Sequence, residues 1–344
     1  MKLAVVLFNL GGPDRPEAVE PFLRTLFSDP AIVSLPSFLR IPLGRLIARR
    51  RAPLAQTIYA RIGGRSPILQ ETQAQARALE SALAATGIEA RAFVAMRYWH
   101  PFSEETARAL RDWAPERIVL LPLYPQFSTT TTQSSLDDWK RAAGKVGIAA
   151  PQSQICCYPT NDGFIETLAG AIRERLAERR PGLRYRLLLS AHGLPERVIA
   201  RGDPYRWQIE QTAKILVEKL GTEISDQVVC YQSRVGPLAW IGPSTDGEIR
   251  RAGREGLGVI VAPIAFVSEH SETLVELDIE YAKLAAESGV PHYLRSATVG
   301  VRGAFIEALA GLVRRAVVSQ GGTGCANSRL CPAELSRCGH GEAP

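Results

Sequence analysis

Eight short apolar runs rich in Val, Ile and Leu recur along this chain, near residues 3–9, 90–96, 117–122, 153–157, 185–190, 227–231, 258–266 and 292–296. Between them lie longer stretches with helical spacing of apolar residues, among them Pro67 to Ala85, Glu104 to Trp113, Asn161 to Arg179, Pro204 to Leu220, Thr245 to Gly253 and Ser271 to Ala286. A strand facing water on one side alternates polar and apolar residues; a run apolar on both faces belongs in a parallel sheet covered by helices. The repetition of strand and helix therefore predicts an α/β fold. In open sheets of that kind the loops just past the carboxyl ends of the strands carry the chemistry.

The two halves of the chain echo one another. Strand one runs into Asn9-Leu10-Gly11-Gly12-Pro13 and strand five into Ala191-His192-Gly193-Leu194-Pro195; strand three runs into Pro122-Leu123-Tyr124-Pro125-Gln126-Phe127-Ser128 and strand seven into Pro263-Ile264-Ala265-Phe266-Val267-Ser268. The reading is two similar Rossmann-like lobes with parallel sheets, facing one another across a cleft lined by strand-end loops. The first lobe spans 1–165 with an insertion over about 13–70, the second spans 166–300, a helix over 301–320 packs back on the body, and a cysteine-rich tail occupies 321–344. A length of 344 residues suits two domains.

No apolar run reaches the roughly 18 residues of a membrane-spanning helix. The N-terminus, Met1-Lys2-Leu3-Ala4-Val5-Val6, enters a strand pattern at once, which predicts a cytoplasmic protein without a signal peptide. The net charge is +6, but Arg supplies most of the positive side, Lys standing only at 2, 140, 145, 214, 219 and 283. With no lysine-rich tail and no nucleic-acid motif, nucleic acid is not expected as a partner; the planar guanidinium suits carboxylates equally, so an acidic small-molecule substrate fits. Within the insertion, residues 35–51 interleave large apolar side chains with arginines. They read either as a surface helix whose apolar side packs on its own lobe, or as a lip that touches an apolar anionic ligand or an anionic membrane surface. Nothing in the sequence bears on oligomeric state.

Two strand-end segments stand out: Ser190-Ala191-His192-Gly193-Leu194-Pro195 after Leu187 to Leu189, and Ser268-Glu269-His270-Ser271-Glu272-Thr273-Leu274-Val275-Glu276 after Val259 to Phe266. His192 sits on a tight turn, and an imidazole can accept a proton or bind a metal at neutral pH. Glu269, Glu272, Glu276 and Glu280 are spaced three, four and four, sharing one face of a helix. Such a row is ordinarily a solvated face. Here it begins at a buried strand end and is interleaved with His270, Leu274 and Leu277, as expected of a file that passes protons or a hydrated cation stepwise. One imidazole paired with one carboxylate suits Fe²⁺ or Zn²⁺ with coordination positions left open. At the far end, Cys325, Cys331 and Cys338 crowd the tail, and Cys156, Cys157 and Cys230 lie in the body. Clustered thiols in a cytoplasmic protein point to metal rather than disulfides, although their spacing matches no standard zinc finger.

These segments resemble the signature of the ferrochelatase family, whose members insert ferrous iron into a porphyrin. The resemblance extends over nearly the whole chain: Asn9 to Pro13, Arg61-Ile62-Gly63-Gly64-Arg65-Ser66-Pro67-Ile68, Met96-Arg97-Tyr98-Trp99-His100-Pro101, Tyr124 to Ser128, Ser190 to Pro195, Ser233 to Pro237, Trp240-Ile241-Gly242-Pro243 and Ala262 to Phe266. It implies that His192 is the cleft histidine that binds iron and accepts a pyrrole proton, and that Glu272 is its paired carboxylate. It further implies that Glu276 and Glu269 belong to the acidic file, that His270 is a neighbouring hydrogen-bonding histidine, and that Tyr59, Arg97 and Tyr98 contact substrate or close the cleft. On the same basis Trp240 helps to hold the macrocycle, and Leu10 forms an apolar wall where some animal members have Met. The substrates implied are protoporphyrin IX and Fe²⁺, with two protons released.

Some members of the family hold a [2Fe–2S] cluster with three C-terminal cysteines and one internal cysteine. The resemblance offers Cys325, Cys331 and Cys338, with Cys157 or its neighbour Cys156 as the fourth ligand, because the internal position used by animal members is Thr129 here. A Cys₃His zinc site using His340 and a tail of reduced thiols are the alternatives. The competing functions are a chelatase for another tetrapyrrole, such as coproporphyrin, and a tetrapyrrole carrier, which has no need of a proton-accepting file.

Overall fold

The computed structural model describes residues 1–234, 236, 238–318 and 329–340. It divides into two compact units, Met1–Cys157 with parts of the C-terminal region, and Tyr158–Ala308 with Leu330–Cys338.

In the first unit β1 (Leu3–Asn9) lies between β2 (Ala90–Met96) and β3 (Arg117–Pro122), with β4 (Gln152–Gln154) at the edge. All three pairings are parallel. Every residue of β1 is buried, as expected where helices cover both faces. The helices are α1 (Val19–Phe27), α2 (Ser37–Ala60), α3 (Ile68–Ala84), α4 (Ser103–Trp113) and α5 (Ser134–Val146). A π-helical turn, Thr129–Gln133, leads into α5 and is capped by Ser128 Oγ, which accepts from the Thr130 N–H at 3.1 Å.

The second unit opens with α6 (Asp162–Leu176), capped by Asn161. It continues through β5 (Tyr185–His192), α7 (Glu196–Ile199), α8 (Tyr205–Leu220), β6 (Gln227–Gln232), α9 (Thr245–Arg254) and β7 (Gly258–Pro263). A nine-residue π-helical segment, Glu272–Glu280, then runs into α10 (Tyr281–Glu287), β8 (Tyr293–Arg295) and the start of α11 (Gly303–Val318), whose residues from Leu309 onward belong to the first unit. The sheet order β6-β5-β7-β8 repeats the β2-β1-β3-β4 order of the first unit, again entirely parallel.

Several sequence-based expectations shift. The break after Cys157 leaves α6 wholly in the second unit. The fourth apolar run pairs only over Gln152–Gln154, as an edge strand beside the buried Ile118, Val119 and Leu120 of β3. The expected α-helix over 271–286 is π-helical for its first nine residues. Helices α1 and α5 lie where no bounds were expected for a helix. Helix α2 also packs in an unexpected way. Its buried residues include the small Gly44, Ala48 and Ala52, four apart, which let α1 approach so closely that a Cβ on Gly44 would stand 2.8 Å from the Phe27 carbonyl oxygen. The large side chains Phe38, Leu39, Leu46 and Leu54 remain exposed, by 73, 49, 46 and 63%. Small residues, with Tyr59 at its end, therefore hold α2 to its own unit.

Candidate active site

The ends of β5, β6 and β7 bring the charged residues of the second unit together. His192, the last residue of β5, pairs with Gln232, the last residue of β6. The following Gly193 donates its N–H to the Gln232 carbonyl at 2.9 Å. A Cβ on Gly193 would lie 3.0 Å from that oxygen and 3.4 Å from the Trp240 ring, so a larger residue would have to push the turn or the indole aside by a few tenths of an ångström. His192 Nδ1 is 2.6 Å from the Gly193 carbonyl oxygen. A carbonyl only accepts, so Nδ1 carries the hydrogen and Nε2 is left to take a proton or a cation.

His192 Nε2 stands 3.8 Å from Glu272 Oε2. His270 repeats the arrangement: its Nδ1 lies 3.1 Å from the Ser268 carbonyl oxygen and its Nε2 lies 3.7 Å from the same Glu272 oxygen. The Phe266 ring meets His270 edge-on at 4.6 Å. One carboxylate oxygen thus faces two imidazole nitrogens. Burial pushes Glu272 up, but the two imidazoles outweigh it and hold the carboxyl at about 2. Among the described residues, no three His, Cys, Asp or Glu side chains are grouped so as to hold a metal ion.

Glu276, one step along the π-helix, has the opposite tendency. Burial and the neighbouring Glu272 charge raise its carboxyl above the ordinary range, against hydrogen bonds that favour ionisation. Ser233 donates from its N–H at 2.8 Å and from Oγ at 2.5 Å, Tyr281 donates its hydroxyl at 3.0 Å, and Gln232 donates Nε2 at 3.1 Å. Gln232 is oriented in turn, since its Oε1 accepts from Ser190 Oγ at 2.9 Å while Nε2 also reaches the Glu272 carbonyl at 3.1 Å. Ser233 adopts a left-handed backbone, φ 60°, which is uncommon outside glycine and carries strain at a functional loop. Two carboxylates four residues apart thus have proton affinities pushed in opposite directions, the usual signature of divided acid–base roles.

The other two carboxylates of the file differ. Glu269 precedes the π-helix; its Oε1 accepts from Arg295 Nη1 at 2.7 Å and from the Thr298 N–H at 3.0 Å. Burial would raise its carboxyl, but Arg295 and these donors lower it. Glu280 ends the π-helix and is exposed. Trp240 is half-buried, its backbone bridged to Pro195 while the Ile241 N–H donates to the Leu194 carbonyl at 3.0 Å. This strap fixes the indole beside the His192 turn.

In the first unit, Leu10 is half-buried against both apolar clusters. Tyr59 and Tyr98 are buried in one of them, at 8 and 1% exposure. The Tyr98 hydroxyl donates to Asp29 Oδ2 at 2.8 Å, and the same oxygen takes Arg97 Nη2 at 2.8 Å and Ser134 Oγ at 2.5 Å. Arg97 Nε donates to Ser134 Oγ at 2.8 Å, and its guanidinium borders an open cavity of about 410 Å³ that Phe102, Arg108, Asp138 and Arg141 also line. The Tyr98 ring is therefore a buried support, and Arg97 is the member of the pair that reaches open space. Of the tail, Cys331 and Cys338 are buried, and Gln208 Nε2 donates to Cys331 Sγ at 3.0 Å; Cys325 lies outside the described residues. Cys157 is buried at the end of the first unit.

Sequence reasoning missed Asp29, Gln232, Ser233, Tyr281 and Arg295. Gln232 and Ser233 carried the signal that exposed His192, polar residues just past an apolar strand. Asp29 and Arg295 carried none, because their partners are remote in sequence.

Two ferrochelatases, from Caulobacter vibrioides and Phenylobacterium zucineum, are each 55% identical to this chain over 340 residues; both alignments cover 98% of this chain, and 97 and 98% of the relatives. Among solved structures, SirB from Bacillus subtilis with Fe³⁺ shares the fold at a TM-score of 0.53 and 15% identity, over 92% of this chain and 96% of that one. The family profile described as Ferrochelatase matches residues 2–317, so this chain belongs to the ferrochelatase family.

Proposed function

We propose that this protein inserts Fe²⁺ into protoporphyrin IX to form protohaem, the two pyrrole protons leaving as the metal enters. The observation that carries the reading is the group at the ends of β5–β7: an imidazole with one nitrogen committed and one open, beside a low-affinity and a high-affinity carboxylate. His192 Nε2 takes a pyrrole proton, and ionised Glu272, 3.8 Å away, stabilises the imidazolium that forms. Glu276 accepts the proton in turn because burial and Glu272 raise its affinity, and exposed Glu280 stands at the solvent end. His192 and Glu272 leave coordination positions open, as needed where iron is a substrate passing through. Leu10 and Trp240 supply apolar contact to the macrocycle and Arg97 a guanidinium for its carboxylates, with Tyr59 and Tyr98 supporting from the core.

The test is anaerobic incubation of the protein with Fe²⁺ and protoporphyrin IX, followed by the absorption change on metallation. Metallation by the wild type that is lost in His192→Ala supports the reading; porphyrin binding without metallation by the wild type rejects it.

Two finer readings go with it. The enzyme is cytoplasmic and touches an anionic membrane through α2, where exposed Phe38, Leu39, Leu46 and Leu54 alternate with Arg40, Arg45, Arg49, Arg50 and Arg51. None of the described helices is long and apolar enough to span a bilayer. Co-sedimentation with anionic but not neutral vesicles, abolished by Phe38→Ser with Leu54→Ser, checks this contact. Following the family resemblance, the tail is read as holding a [2Fe–2S] cluster through Cys325, Cys331, Cys338 and Cys157, with Cys156 as the alternative fourth ligand. The described residues alone complete no ligand set, and no step of the reaction is routed through the cluster. Visible absorption and EPR of anaerobically purified protein decide it, colourless protein with stoichiometric zinc being the contrary result.

A further inference from the structure

A π-helix of nine residues needs support, because its widened i→i+5 turns are seldom sustained beyond one turn. On the side of β8, the Tyr293 hydroxyl donates to the Leu277 carbonyl at 2.8 Å, and one guanidinium reaches both ends of the segment. Arg295, the last residue of β8 and only 11% exposed, donates Nη1 to Glu269 Oε1 at 2.7 Å and Nε to Asp278 Oδ1 at 2.7 Å; Nη2 completes the fork to Asp278 Oδ2. Glu269 lies just before the π-helix and Asp278 near its end, so one planar group ties both ends to the edge of the sheet. The residues between them include Glu272 and Glu276. The Thr298 N–H, 3.0 Å from Glu269 Oε1, adds a second tie, and the Ser296 N–H bonds the Val261 carbonyl at 2.9 Å, holding the strap after β8 to β7.

We infer that Arg295 is a positioning residue that sets the spacing of Glu272 and Glu276 by clamping both ends of the π-helix, and that Glu269 serves as its anchor instead of carrying protons. An anchor needs an acceptor oxygen aimed at Arg295 and Thr298, which a carboxamide also supplies; a proton carrier needs an ionisable group, which a carboxamide lacks. A lysine at 295 keeps the charge but has no fork, so it reaches one carboxylate and releases the other.

The inference rests on the metal-insertion reading, and kinetics in the whole protein test both. Glu269→Ala and Arg295→Lys each lower kcat for Fe²⁺ insertion about tenfold with KM for protoporphyrin within about twofold, and Glu269→Gln restores kcat to within about threefold of the wild type. Wild-type turnover combined with a Glu269→Gln variant as impaired as Glu269→Ala overturns the anchor role, whereas a wild type that binds porphyrin without metallating it overturns the functional reading. A second readout needs no turnover. Amide hydrogen exchange across Glu272–Glu280 is faster in Arg295→Lys than in the wild type if the clamp holds the segment, and unchanged exchange overturns it.

Discussion

The two units are built on one plan and differ most where the plan reaches its strand ends. Phe8 pairs with Pro122 in the first sheet as Ser190 pairs with Pro263 in the second. Two residues further on, Leu10 occupies in the first unit the place of His192 in the second. Each unit also has a π-helix after its third-laid strand, Thr-Thr-Thr-Thr-Gln at 129–133 in one and a segment bearing Glu272, Glu276 and Glu280 in the other. Even the bracing is parallel: Arg97 at the end of β2 reaches Ser134, as Gln232 at the end of β6 reaches Glu276. The difference teaches that this scaffold positions polar groups at fixed strand ends whatever they are. The chemistry follows from which residues stand there: Leu10 and a neutral π-helix in one unit, His192 and a π-helix of carboxylates in the other.

Transplanting residues between equivalent positions tests that comparison. The largest effect belongs to His192→Leu, which gives the second unit the residue of the first: kcat falls by about 10³–10⁴-fold with the fold intact by circular dichroism. Leu10→His does not restore it, lacking the paired carboxylate. Asp29→Ala in the first unit acts on stability, because it strands the Arg97 guanidinium and the Tyr98 hydroxyl; denaturant unfolding shows a loss of about 3 kcal/mol. Glu276→Thr, which copies the neutral π-helix into the charged one, lowers kcat roughly 100-fold. The pH profile carries the sign. A carboxyl raised by burial and Glu272 ionises late, so the wild-type rate climbs as pH rises through a range above that of an ordinary carboxylate, and the variant lacks this limb.

The smallest effect concerns Glu272 and stability. Its carboxyl, held at about 2, contributes stability that is fully present above the ordinary value near 4.3 and is lost as pH falls toward 2. Acid titration of Glu272→Gln against the wild type therefore shows a stability gap at pH 6 that narrows below the ordinary carboxylate value and closes only as pH falls through about 2. A gap independent of pH breaks the assignment of the two imidazoles as the cause.

Much of this was readable from the chain. Apolar runs located the strands and hence the loops at their ends, so His192 and the Glu272–Glu276 pair stood out from local pattern. The π-helix did not, because the four-residue spacing of Glu272, Glu276 and Glu280 is compatible with either helix type. The sequence could not choose between the two readings of α2 for a related reason: alternating apolar and basic residues reveal that a helix has two kinds of side chain, not that the small ones at 44, 48 and 52 are turned inward.

The sequence by itself determined the parallel α/β architecture, its internal duplication and the strand ends at which the chemistry collects, since periodicity and burial are local consequences of residue type. Only the tertiary structure decided what each carboxylate does. Proton affinity depends on desolvation and on the charges within a few ångströms, and those come from afar in the chain: His192 to Glu272, Ser233 to Glu276, Arg295 to Glu269. Four glutamates that look alike in a row are, in the folded chain, an ion beside two imidazoles, a carboxyl of raised affinity, a clamped anchor and an exposed end.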